Sequence, residues 1–157
     1  MTKMFKLNYM SSYRQILYHI VFRTKSSSRS LNLDNSNELY AYIMGYIKNK
    51  NCFIYQINGM EDHIHILSDL HPSISLADYI RDMKTSSSIW LKNSGKFPAF
   101  VGWAVGYAAL TYAWRDKDMI ANYIKNQRIH HKQEVFLDEY RRLLAENNIR
   151  IDENYFP

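Results

Sequence analysis

The 157-residue chain has the length of one domain, and its 46% hydrophobic and 15% aromatic content is enough to bury a core, so a single domain over 1–157 is expected. Twenty Lys+Arg against 15 Asp+Glu give a net charge of +5 and a pI near 9.2, which favours a polyanionic partner such as nucleic acid. One cysteine, Cys52, excludes a disulfide framework and a thiolate zinc cluster, and the apolar run Ile16 to Phe22 is too short to span a membrane, so a cytoplasmic protein is expected.

Residues 1–10 show no clean period and read as a loose N-terminal arm. From Tyr13 to Thr24, Ile16, Leu17, Tyr18, Ile20, Val21 and Phe22 are predominantly β-branched or aromatic, which predicts a long first strand with His19 near its middle. The loop Ser26-Ser27-Ser28-Arg29-Ser30 offers hydroxyls and charge to a phosphate backbone, although such loops are by default simply solvated. Asn35 followed by Glu38 matches a capping box, and Leu39, Ile43 and Ile47 recur at helical spacing, predicting a helix over about 36–49.

Two strands follow around a turn at Gly59 and Glu61-Asp62, the first through Phe53, Ile54, Tyr55 and Ile57, the second through Ile64, Ile66 and Leu67. Side chains alternate along a strand, so His63 and His65 share one face while Ile64 and Ile66 face a core. Same-face neighbours lie roughly 6.5–7 Å apart, close enough for two imidazoles to lean toward one divalent ion. Exposed polar residues on an amphipathic strand fit the same alternation, and the pattern alone leaves both readings open.

Ser75 with Asp78 starts a second helix, expected to face Leu76, Tyr79, Ile80, Met83, Ile89 and Trp90 inward and Arg81, Lys84 and Lys92 outward. A Gly-rich connection, 93–106, leads to a short strand near Tyr107 to Tyr112. Asp116 and Asp118 open a third helix carrying Met119, Ile120, Tyr123, Ile124, Gln127 and His131, and a last helix covers about 133–146. Tyr123 and Gln127, four apart, stack on one face, and His130 and His131 continue that stripe, a set that fits either a polar site facing the sheet or plain surface exposure. The order β-α-β-β-α-β predicts an α+β, ferredoxin-like split βαβ sheet, antiparallel, with helices on one face and C-terminal helices beyond.

Taken together these segments resemble the single-tyrosine HUH transposases of small bacterial insertion sequences and their repeat-associated relatives, the TnpA-like family. Tyr18-His19-Ile20-Val21-Phe22-Arg23-Thr24-Lys25 is similar to its first strand, and Glu61-Asp62-His63-Ile64-His65-Ile66-Leu67 to its His-hydrophobic-His strand. Ser75-Leu76 through Met83-Lys84-Thr85-Ser86-Ser87 is similar to its next helix, and Trp103-Ala104-Val105-Gly106-Tyr107 to its Trp-x-x-Gly-Tyr segment. Tyr123-Ile124 with Gln127, His130 and His131 is similar to its nucleophile helix, while Glu61 stands where the family usually has Pro and Phe22 where it often has Trp.

The resemblance implies a metal-dependent transposase that cleaves and rejoins single-stranded DNA, with hairpin ends, through a 5′-phosphotyrosine on Tyr123. It implies one Mg²⁺ or Mn²⁺ ion held by His63, His65 and Gln127, with His130 as an assisting group. Arg23, Lys25, Arg29 and Lys84 are the candidate DNA contacts. A homodimer is expected, in which the Tyr123 helix of one chain serves the His63 and His65 of its partner, although repeat-associated relatives can work as monomers, and the order of residues leaves cis and trans use of Tyr123 open. The other readings weighed are a non-catalytic ferredoxin-like nucleic-acid binder and a relaxase or replication-initiator nickase, which shares the His-hydrophobic-His chemistry.

Overall fold

The computed structural model describes residues 12–156, so the N-terminal arm expected over 1–10 lies outside the described residues. Four strands, β1 (Tyr18–Arg23), β2 (Ile54–Gly59), β3 (His63–Ser68) and β4 (Ala108–Thr111), form one sheet in the order β2-β3-β1-β4 with every neighbour antiparallel. Helix α1 (Ser36–Asn49) joins β1 to β2 and α2 (Leu76–Asn93) joins β3 to β4, giving the split βαβ arrangement expected from the element order. Three helices follow: α3 (Lys117–Lys125), the single turn α4 (Gln127–His130) and α5 (Phe136–Glu146).

Alternation along the central strands separates two environments. Ile20 and Phe22 of β1 and Ile64 and Ile66 of β3 face α1 and α2, where Leu39, Ile43, Ile47, Tyr79, Ile80 and Met83 complete the largest apolar cluster. The opposite face carries His19 and Val21 of β1 and His63, His65 and Leu67 of β3, covered by Ile120 and Ile124 of α3 and by Phe136, Leu143 and Leu144 of α5. The helices therefore lie on both faces of the sheet, with the C-terminal ones roofing the histidines.

β1 begins at Tyr18 rather than near Tyr13, because Tyr18 is where pairing with both Ser68 of β3 and Thr111 of β4 begins, and Tyr13 is fully exposed. The cap read at Asn35 and Glu38 is not formed: Asn35 Nδ2 donates to the Lys96 carbonyl at 3.2 Å and Glu38 pairs with Lys96. Asn32 accepts from the Asp34 N–H instead, opening a short 3-10 turn that runs into α1. In α2 the Ser75 hydroxyl does cap, accepting the Asp78 N–H at 3.1 Å. Its buried stripe continues Ile80, Met83, Ser87, Leu91, which leaves Ile89 off the stripe and 58% exposed, against the inward position expected for it.

The β2–β3 turn is tight enough to exclude any side chain at Gly59. A Cβ there would lie 2.3 Å from the His63 carbonyl oxygen and 2.9 Å from Ile64 Cα, both backbone atoms that cannot swing aside. Gly59→Ala is expected to destabilise the fold by about 1–3 kcal/mol. Urea unfolding measures it, and an unchanged midpoint would mean that the turn tolerates a methyl group without moving β3.

Candidate functional site

The register of β1 against β3 pairs Val21 with His65, which puts His19 diagonal to His65 on the same face, with ring centroids 5.1 Å apart. His19 Nε2 lies 2.8 Å from His65 Nδ1, and His63 Nδ1 lies 2.7 Å from the Asp62 carboxylate. Each strand histidine is thus held at Nδ1 and presents Nε2 to the C-terminal helices. This is how a protein fixes the tautomer and direction of a metal-binding imidazole.

Those Nε2 atoms converge on a carboxylate that the sequence patterns did not single out. Glu139 of α5 is fully buried, and its Oε1 lies 3.0 Å from His65 Nε2, 3.1 Å from His131 Nε2 and 3.4 Å from His63 Nε2. Its Oε2 accepts the Gln127 Nε2–H at 2.9 Å and the Tyr123 hydroxyl. Gln127 Oε1 lies 3.3 Å from His63 Nε2 and 3.0 Å from His131 Nε2. Arg142 Nη2 donates to the Tyr123 oxygen at 2.9 Å.

The structure thus brings His63, His65, Tyr123 and Gln127 together, and adds His19, His131, Glu139 and Arg142. A signal for Glu139 did exist: with Phe136 and Leu143 it occupies the buried stripe of α5, where a carboxylate is out of place unless partnered. His19 is likewise a polar residue inside an apolar strand run. Its Nδ1 has no hydrogen-bond partner.

Helix α3 does not run through to His131 as one piece. It stops at Lys125, Asn126 leaves helical geometry, and the chain restarts as α4, bringing Gln127 and His131 to the same group. His130 is not among the donors; its ring stacks on Tyr123 with centroids 4.8 Å apart. Within the single chain Tyr123 stands beside His65, ring centroids 6.1 Å apart.

The electrostatics follow from burial and pairing. Burial pushes His65 down to about 4, so it is neutral at physiological pH, and burial with the nearby His65 holds His19 well below its ordinary value. Burial opposes a charge on His63 as well, but hydrogen bonds to Asp62 and Glu139 outweigh it and raise its pKa. Glu139 is held well below the usual carboxylate range: burial works against its charge, and hydrogen bonds from His131, His63 and His65 prevail. Burial, and then the Glu139 charge, push the Tyr123 phenol up.

One donor atom from each of His63, His65, His131 and Glu139 falls within 4.8 Å of the others, a spread that one divalent ion can gather. Three imidazoles and a carboxylate, with the Gln127 carbonyl at hand, make a mixed N/O donor set that suits Mn²⁺ better than oxygen-seeking Mg²⁺.

Of the basic residues read as phosphate contacts, Lys25 is exposed, Arg29 is exposed but paired with Glu61, and Arg23 is half-buried, donating to Ser27 Oγ at 2.9 Å. Lys84 departs from the outward position expected on α2. Its ammonium donates to the carbonyls of Ala104 at 2.7 Å and Gly106 at 3.0 Å and so holds the loop before β4.

Comparison with known proteins places this arrangement. The model of the family described as "Transposase IS200 like" matches residues 12–127, which include His63, His65, Tyr123 and Gln127 and end before His131, Glu139 and Arg142. No curated protein matches the sequence. Among solved structures, the fold is similar to that of a transposase candidate from Deinococcus radiodurans R1, with TM-score 0.60 and 21% identity over 77% of this chain and 98% of the other. It is also similar to a REP-associated tyrosine transposase bound to a REP hairpin, with TM-score 0.56 and 16% identity over 78% of this chain and 74% of the other. With its sheet, its histidine strand and its tyrosine helix inside one family match that spans most of its length, the chain belongs to the IS200-like transposase family.

Proposed function

We propose that this transposase cleaves and rejoins single-stranded DNA through a covalent 5′-phosphotyrosine on Tyr123, beside a divalent ion held by His63, His65, His131 and Glu139 with Gln127 alongside. The observation that carries this reading is the hydrogen-bonded group in which the Tyr123 hydroxyl and the Nε2 atoms of both strand histidines meet on one buried carboxylate. A non-catalytic binding module has no use for a tyrosine placed in such a group, and burying a carboxylate there costs several kcal/mol unless it is fully partnered.

Tyr123 attacks phosphorus, the P–O3′ bond breaks, and the DNA 5′-phosphate stays on the tyrosine while a free 3′-OH departs. The tyrosyl ester retains the bond energy, so a second 3′-OH can attack it and rejoin DNA without ATP. A divalent ion held by His63, His65, His131 and Glu139 would supply Lewis acidity toward a phosphoryl oxygen. The protein's own residues do the rest. Asp62 and His19 aim His63 and His65, Gln127 and Glu139 tie α4 and α5 to that pair, and His130 packs on the Tyr123 ring. Tyr123 is only half-buried, which makes its side the approach for DNA.

Single-stranded DNA with hairpin ends is the proposed partner, reached in the cytoplasm. The proposed assembly is a homodimer in which each chain uses its own Tyr123.

Tyr123→Phe keeps the ring and its stacking and removes only the nucleophilic oxygen. Incubated with Mn²⁺ and single-stranded DNA from the flanks of its own gene, the wild type is expected to form an adduct that survives a denaturing gel, and the Phe variant none, with binding within a few-fold. An adduct on the Phe variant would assign the nucleophile elsewhere.

Mn²⁺ at a hundredfold excess over its dissociation constant is expected to stabilise the fold by about 2.7 kcal/mol, read as a raised melting temperature. The ion competes with the proton on His63, whose pKa is raised, so affinity falls as pH drops through a value above 6.5. Binding at pH 6 should therefore be weaker than at pH 8. Stabilisation that persists in His63→Ala and His65→Ala would place the ion elsewhere.

DNA binding is expected to weaken steeply with salt, because Lys25, Arg23 and Arg29 release counterions from the phosphates they meet. Affinity unchanged between 50 mM and 200 mM salt, the interval over which this effect is large, would sink the assignment of these residues to the phosphate backbone.

A further inference from the structure

The Tyr123 oxygen has two charged neighbours of opposite sign. Its hydroxyl donates to Glu139 Oε2, and it accepts the Nη2–H of Arg142 at 2.9 Å. The carboxylate opposes any negative charge on the phenolic oxygen, yet a tyrosine that attacks phosphorus must carry such charge as its proton leaves. A fixed cation within hydrogen-bond distance offsets that repulsion.

Arg142 is built for this place. Its Nε and Nη2 donate to the two oxygens of Glu134, both at 3.0 Å, and its Nη1 donates to Glu146 at 3.2 Å. Glu134 lies between α4 and α5, and Glu146 ends α5, so the guanidinium is held from two sides while Nη2 still reaches Tyr123. Its central carbon stands 5.6 Å from the centre of the Tyr123 ring. Only a planar fork can serve two carboxylates and a phenol at once; an ammonium on a flexible stem keeps the charge and loses the geometry.

We propose that Arg142 is a catalytic residue of this site, holding the negative charge that develops on the Tyr123 oxygen when it attacks phosphorus and again when it leaves. The assignment rests on Tyr123 being the nucleophile. In cleavage the O–P bond forms, the P–O3′ bond breaks, the phenolic proton passes to solvent and solvent returns one to O3′. Rejoining runs the same bonds backward, with Tyr123 as the leaving group. One hydrogen bond to one oxygen therefore acts equally on both directions.

The experiment uses the full chain, Mn²⁺ and single-stranded DNA from the gene's own flanks, and follows adduct formation and rejoining under single-turnover conditions. Arg142→Ala is expected to slow both by the same factor, about a hundredfold, leaving the ratio of adduct to intact DNA at equilibrium unchanged. Guanidinium ion at tens of millimolar, about the usual range of a chemical rescue and far below denaturing concentrations, is expected to restore part of the rate. Arg142→Lys is expected to fall between the two. Urea unfolding and DNA anisotropy are expected to match the wild type. If the wild type forms no adduct, the reading of the whole site fails and this assignment with it. If the wild type forms the adduct and Arg142→Ala is within a few-fold of it, only the assignment fails. A slow Arg142→Ala variant that guanidinium does not rescue, or that slows one direction alone, also overturns it. Should the Ala variant not fold, Arg142→Gln takes its place: a folded Gln variant with the same loss in both directions supports the role, and near-normal rates refute it.

Discussion

The buried carboxylate of Glu139 is the constraint on which the C-terminal half of the molecule depends. A charge removed from water has to be matched by donors within reach, or the fold loses several kcal/mol. Here the donors come from β3, from α3 and α4, and from the turn after α4: His63 and His65, Tyr123 and Gln127, and His131. Each of those segments is therefore positioned by the need to satisfy one side chain of α5. The break in the helix at Asn126 fits this requirement, since it lets Gln127 and His131 address the same carboxylate that Tyr123 meets from the preceding helix.

The sheet makes this polar group possible by giving it a face of its own. On the α1 and α2 side, Ile20, Phe22, Ile64 and Ile66 supply apolar burial that has no polar obligations. That side holds the strands rigid, and rigidity is what keeps His63 and His65 in register, because neighbouring same-face positions along one strand keep their spacing only while the backbone does. On the other side, Phe136 stacks on His63 with ring centroids 4.1 Å apart, and Leu67, Ile120 and Ile124 pack nearby, so the histidines sit in a polar pocket with an apolar wall. Such a wall lowers the local dielectric, which strengthens every charged contact inside it.

Much of this was legible in the sequence where local chemistry and long-range packing agree. The helix over Leu39, Ile43 and Ile47, the Ser75 cap, the turn at Gly59 and the shared face of His63 and His65 all follow from spacing, and the split βαβ order follows from the elements. What stayed hidden depends on partners remote in the chain. Asn35 resembles a cap because Asn32, three positions earlier, is the same favoured cap residue and spacing alone does not choose between them, while the Lys96 carbonyl that takes Asn35 is 61 residues away. Lys84 looked solvent-facing because nothing in α2 predicts two carbonyls from the loop at 104–106. Glu139 hides among the charged residues that are common on such a helix, and only its place between Phe136 and Leu143 marks it.

The same group explains why the fold and the chemistry cannot be tuned separately. Ligand atoms drawn from β3, from the turn after α4 and from α5 join segments more than 60 residues apart in the chain, so an ion bound among them cross-links the C-terminal helices to the sheet. Three imidazoles in the set would favour an ion that accepts nitrogen, and His63, whose pKa is raised, would have to give up its proton to bind one, which would couple occupancy to pH. Tyr123 belongs to that network through Glu139, so whatever drew the carboxylate toward an ion would also change the hydrogen bond on the Tyr123 hydroxyl. The strength of the carboxylate's hold on the phenol and of any hold on an ion would then trade against each other at a single side chain.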